Sequence, residues 1–191
     1  MSDVAALESE TGEQIVMQPG GCFWFEGDSG LQPVRVKQGI VAYKRGKVAV
    51  GLIGPGEIAL PVPGVPTQGA AISDLMAITE AVVTPLAPEE LPLSEEDMEI
   101  SALAVFIGAV RLGNMSLPQR LAALLLDITE MTEQPIIGCR QEILALAAAA
   151  RRETVATILS QWRDLDWIQT RYRKTRIMDR DALIRIRDGE E

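Results

Sequence analysis

Apolar and polar positions follow two different rhythms along the chain. From Gln14 to Leu86 the apolar residues come in short runs punctuated by Gly and Pro: Gln14-Ile15-Val16-Met17, Cys22-Phe23-Trp24-Phe25, Val34-Arg35-Val36, Ile40-Val41-Ala42-Tyr43, Val48 to Ile53, and Ala81-Val82-Val83. Short β-rich runs with turn signals between them predict a sandwich or barrel. Lys44-Arg45-Gly46-Lys47 and Gly54-Pro55-Gly56-Glu57 read as two of the turns, and Pro61, Pro63 and Pro66 with Gly64 as a stiff loop. Pro85, Pro88 and Pro92 break the chain, and the period then lengthens to that of helices. Ser94 is a predicted N-cap, with Glu95, Glu96 and Asp97 placed to favour the positive end of the dipole. Ile100, Leu103, Ile107, Val110 and Leu117 fall on heptad a and d positions with Asn114 at an a, and Pro118 limits that run to about three turns. Gly108 and Gly113 weaken this helix. Leu121, Leu124, Leu125 and Ile128 stripe the next helix, and Glu130 to Gly138 reads as a loop.

Arg140 to Trp162 reads as two short helices joined by a tight turn. Ile143, Leu144, Leu146 and Ala147 give the first an apolar face; Val155, Ile158, Leu159 and Trp162 recur at i, i+3, i+4 and i+7 in the second. Between them lie four alanines, 147–150, and then Arg151-Arg152-Glu153-Thr154. The second helix therefore begins with polar groups able to reach outward. An Arg fork fits phosphate or the O6/N7 edge of guanine, and Glu accepts from cytosine N4. Trp167 to Thr170 and Arg176 to Met178 read as strands, with Arg171-Tyr172-Arg173-Lys174 as a basic hairpin tip suited to a phosphate backbone. The plain alternative is an ordinary helical hairpin with solvated arginines.

The net charge of −9 opposes a polyanion, but its distribution does not. Residues 1–137 carry 7 Lys and Arg against 18 Asp and Glu, whereas 138–191 carry 11 against 9, and setting aside the last four residues leaves that half at +5. Charge acts locally, over a Debye length of about 8–10 Å. The N-terminus shows acids and no signal region, no apolar run reaches about 18 residues, and two cysteines, Cys22 and Cys139, are too few for a disulfide framework. A cytoplasmic location and no membrane association are expected. No His is present, so a three-His metal site and Ser–His or Cys–His nucleophiles cannot form. Neither a phosphate-cradling loop nor a nucleophile elbow is found, and no enzyme activity, metal or cofactor is expected. Cys22 reads either as a redox switch or as a small buried apolar residue.

Arg140-Gln141-Glu142-Ile143, Arg152-Glu153-Thr154-Val155, Ile158-Leu159, Leu165 and Ile168 together resemble the winged helix-turn-helix of the cyclic-AMP receptor protein/FNR superfamily of bacterial transcription regulators. Val36 to Val41 and Gly54 to Glu57 resemble, more briefly, its cupin-like β-roll. The resemblance implies an α+β chain: a β-roll at 1–93, a dimerisation helix at 94–117 and a winged helix-turn-helix at 118–191. It implies a homodimer on double-stranded palindromic DNA, with RNA polymerase as a further partner. Base reading carries over to Arg152 and Glu153, with Arg151 and Thr157 as possible additions. Phosphate contact carries over to Arg140, and the basic character of the hairpin adds Arg171, Arg173, Lys174 and Arg176; the Thr154 hydroxyl is placed to bond a phosphate or a base, or equally its own backbone. There are departures. Thr157 stands where the family often has a second base-reading Arg. Ala149 stands at the usual turn Gly, so the turn must be built without a residue that takes φ > 0 cheaply. Leu60-Pro61 and Ala71-Ile72 stand where cyclic-nucleotide sensors have Gly-Glu and an Arg followed by a small hydroxyl residue. No cation lies between Lys47 and Arg111 to meet a buried phosphate, so cyclic AMP is not expected at that site. A winged-helix protein–protein interaction module without DNA binding is the alternative function.

Overall fold

The computed structural model describes residues 13–64 and 70–190. The acidic stretch before Glu13, expected to fray, and Pro66 of the expected stiff loop lie outside the described residues. The first half builds eight strands, β1 (Ile15–Met17), β2 (Cys22–Trp24), β3 (Val34–Gln38), β4 (Val41–Arg45), β5 (Val48–Ile53), β6 (Ile58–Ala59), β7 (Asp74–Ala77) and β8 (Ala81–Pro85). They form two four-stranded antiparallel sheets, β1-β8-β3-β6 and β2-β7-β4-β5. Between them lies a core containing Trp24, Val34, Val36, Val41, Tyr43, Ile53, Leu75 and Val83. Gly39 joins β3 to β4 at φ +76°, where a Cβ would stand 2.0 Å from the Glu80 carbonyl oxygen, so no other residue fits.

β4 explains why Ile40-Val41-Ala42-Tyr43 is apolar throughout rather than alternating. Val41 and Tyr43 face the roll interior, while Ile40 and Ala42 join a second core with Met76 and Ile78 on the outer side of the same sheet. A strand covered on both faces cannot spare a polar position. The cover is α2 (Leu117–Thr132), which buries Leu121, Leu124, Leu125 and Ile128 as their spacing predicts. That second core continues into the C-terminal half through Leu144, Val155, Leu159, Trp162, Ile168 and Leu183, so roll and C-terminal helices share one apolar cluster.

Ahead of α2, α1 (Glu95–Asn114) is 20 residues long, beyond the expected three turns. Ser94 caps it, accepting the Asp97 N–H at 3.1 Å. Leu117 opens α2 rather than continuing the heptad seam, because the helix stops at Asn114 and Pro118 is used in the first turn of the next one. Gly108 is a contact rather than a weakness: a Cβ there would meet the Gly51 backbone nitrogen at 2.9 Å, and the two glycines let α1 lie directly on β5.

The C-terminal half contains α3 (Gln141–Ala147), α4 (Arg152–Asp164), β10 (Ile168–Arg171) and β11 (Lys174–Ile177), close to the expected helices and hairpin. Two elements go beyond the sequence reading. β9 (Ile136–Ile137) lies inside the expected loop and adds a third strand to the hairpin, in the order β10-β11-β9. α5 (Arg180–Asp188) is capped by Asp179, whose side chain accepts the Ala182 N–H at 2.9 Å, and ends at Gly189 with φ +79°. None of the described helices is long and apolar enough to cross a membrane.

Candidate nucleic-acid interface

The turn between α3 and α4 is closed by backbone bonds, Ala149 N–H to Leu146 O at 3.2 Å and Ala150 N–H to Ala145 O at 2.8 Å. Ala149 sits at φ +51°, in the left-handed region, which the turn demands although no glycine stands there. That conformation costs an L-residue about 1–2 kcal/mol. Burial of Val155, Ile158, Leu159 and Trp162 holds α4 against the domain and outweighs it. Arg151 is the N-cap residue of α4 and makes no side-chain cap bond, so the positive end of this helix is open to solvent.

Beside that end, α3 and the hairpin enclose a groove of about 390 Å³. Its lining brings together Arg140 from the start of α3, Arg152 from the first turn of α4, and Arg171, Arg173 and Lys174 from the hairpin. These are five of the ten predicted site residues, drawn from three elements. Arg140, Arg171, Arg173 and Lys174 have no ion-pair partner among the described residues. Arg140 Nη2 donates to the Pro19 carbonyl oxygen at 3.4 Å, and the Arg173 guanidinium lies 4.8 Å from the Tyr172 ring centroid. The hairpin tip is tighter than expected. Arg171 and Lys174 face each other in the ladder, leaving Tyr172 and Arg173 as the two-residue turn, with Arg173 at φ +55°.

The other predicted residues lie around this groove rather than in its lining. Arg151, Glu153 and Thr154 are exposed at the tip of α4. Thr157 is exposed about one turn on, and its hydroxyl donates to the Glu153 carbonyl oxygen at 3.0 Å. Arg176 pairs with Gln169 and Ile136 in the ladder and lines a second hollow with them, Arg171 and Lys174. The sequence reading passed over Glu142 as a site residue. Its Oε1 lies 3.2 Å from Arg152 Nε, a contact across the turn that spacing along the chain does not show.

Both thiols, Cys139 in the groove wall and Cys22 in the roll, are disfavoured as thiolates. Burial pushes Cys139 up to about 12, and burial first and the Asp74 carboxylate second push half-buried Cys22 up, partly offset by Lys44. The described residues contain no group of three His, Cys, Asp or Glu able to hold a metal ion.

Residues 119–186 match the Crp-like helix-turn-helix domain, an interval that runs from α2 into α5 and contains the whole groove. The fold is similar to that of TTHB099, a CRP-family transcriptional regulator from Thermus thermophilus, with a TM-score of 0.70 at 22% identity over 91% of this chain and 96% of that one. TTHA1359, a CRP/FNR-family transcriptional regulator from the same organism, gives 0.72 at 20% identity over 94% and 100%. FixK2 from Bradyrhizobium japonicum gives 0.66 at 16% over 93% and 98%. No curated protein matches the chain by sequence. A two-sheet roll, a long helix laid on it and a winged helix-turn-helix make up the fold shared with these structures. Residues 119–186 thus resemble a Crp-like helix-turn-helix domain, and the fold of the chain is similar to that of these three structures.

Proposed function

We propose that this chain is a homodimeric, sequence-specific transcription regulator that acts in the cytoplasm and places one α4 per subunit in a major groove of palindromic DNA. The observation that carries this is the groove with five cations beside the open end of α4. Arg152 and Glu153 read base edges, with Arg151 and Thr157 beside them; Arg140, Thr154 and the hairpin cations hold phosphates. Dimerisation is supported by α1, where Leu103, Phe106, Ile107 and Val110 form one exposed apolar stripe with 53%, 64%, 40% and 42% of their surface open. RNA polymerase is a further partner in this reading where the bound chain activates rather than blocks a promoter.

The roll acts without cyclic AMP at the usual site. Leu60 and Ala71 are fully buried, and the Leu60 N–H donates to the Tyr43 hydroxyl at 2.8 Å. That hydroxyl lies 2.7 Å from Ser101 Oγ and ties β4 to α1. Selection of bound sites from random duplex DNA by the full chain tests binding, symmetry and spacing together. The expected product is a palindrome with half-sites about one helical turn, ~34 Å, apart. Arg152→Ala costs on the order of 1–3 kcal/mol and relaxes preference at one position. Failure of the chain to retain any duplex would leave a winged-helix interaction module.

A further inference from the structure

Glu142 is the single carboxylate in the lining of the cationic groove, among the described residues. A negative charge facing incoming phosphates weakens binding unless it does something else. Two roles are available. In the first turn of α3 it favours the helix dipole wherever it points. Its actual position adds something the dipole does not require: Oε1 lies 3.2 Å from Nε of Arg152, across the turn. Nε is the inner nitrogen of the guanidinium. Holding it there leaves both terminal nitrogens free as the outward fork, and removes rotamers that an Arg with 60% of its side chain exposed otherwise samples. Pre-setting a fork favours a bidentate base edge over single contacts to phosphate.

We propose that Glu142 is a positioning residue for sequence discrimination: it orients Arg152 towards a base edge and, by its charge, lowers affinity for DNA of any sequence. The inference rests on the reading of Arg152 as a base contact. It goes further in assigning the opposite effects of one carboxylate on specific and general binding.

The test uses three duplexes: the site selected by the full wild-type chain, the same site changed at the base pair whose preference Arg152→Ala abolishes, and a random-sequence duplex. Glu142→Gln keeps the shape and removes the charge. The expected result is tighter binding of the random duplex, with discrimination between the first two falling roughly two- to fivefold, the scale of an exposed ion pair. In an Arg152→Ala background, where that discrimination is already gone, Glu142→Gln should still tighten binding of the random duplex, because its charge acts without the partner. Glu142→Asp, which keeps the charge on a shorter stem, should recover the weak binding of random duplex but not the discrimination. Unchanged discrimination in Glu142→Gln, or a random duplex bound no more tightly by it, overturns the proposal and leaves the dipole role. A wild-type chain that selects no site overturns the base-reading assignment itself, a distinct outcome.

Discussion

Removing the hairpin cations from the groove gives the most discriminating measurement. The groove presents Arg140, Arg152, Arg171, Arg173 and Lys174. If the four assigned to the DNA backbone, Arg140, Arg171, Arg173 and Lys174, each neutralise one phosphate, the slope of log K against log salt is about −3.6 for one copy of the chain and about −7.2 for two. Arg173 and Lys174 lie at and beside the tip, in exposed positions, and the Lys174 ladder bond to Arg171 is a backbone one. The double variant Arg173→Ala/Lys174→Ala therefore keeps the fold while removing two charges per subunit. The slope should become shallower by about 1.8 if one subunit engages DNA and by about 3.6 if two do. The assay is fluorescence anisotropy with a selected duplex between about 50 and 200 mM salt. A slope equal to that of the wild type refutes the assignment of the hairpin to the DNA backbone.

Three further outcomes follow from the geometry. Phe106→Asp places a charge in the exposed stripe of α1, whose four half-open side chains contribute about 1 kcal/mol each when covered, and should convert a dimer to a monomer in sedimentation equilibrium. Ala149→Gly relieves the left-handed strain at φ +51° and should raise stability by about 0.5–1 kcal/mol in denaturant melts, whereas Ala149→Val should lower it. Burial pushes the Tyr43 hydroxyl from 10.0 up to about 12 and the Cys139 thiol from 9.0 up to about 12. Both groups are neutral in the fold, so the stability they contribute is whole below about pH 9 and is lost as pH rises towards about 12. Tyr43 alone should account for a drop on the order of 1 kcal/mol by pH 11, and a flat profile from pH 8 to 11 would rule that out.

Legibility in the sequence depended on how local the signal was. The i, i+3, i+4, i+7 spacing of Val155, Ile158, Leu159 and Trp162 is a property of one helix, and its buried face came out as read. The Ser94 cap and the turns at Gly46 and Gly56 are likewise local. β7 was not read because Asp74 interrupts its apolar run; the structure pairs that carboxylate with Lys44 at 2.5 Å, a cross-strand partner invisible along the chain. β9 is two residues long and exists only because β11 lies beside it. α5 did carry a signal, with Asp179 before Ala182 and Leu183 and Gly189 after two arginines, and cap rules applied to that stretch find it. Five cations of the site were legible as a basic cluster. Glu142 was not, since its meaning depends on a turn that folds residue 142 back onto residue 152.

The doubly covered strand β4 sets how this molecule can be cut. Severing the chain near residue 115 strips the outer faces of Ile40, Ala42, Met76 and Ile78 from one piece, and exposes Leu121, Leu125 and Leu144 on the other. Each fragment is left with a raw apolar wall. Heating should therefore melt the roll and the reading head in a single transition, and a wedge driven into β4 should loosen the grip on DNA from the far side of the protein.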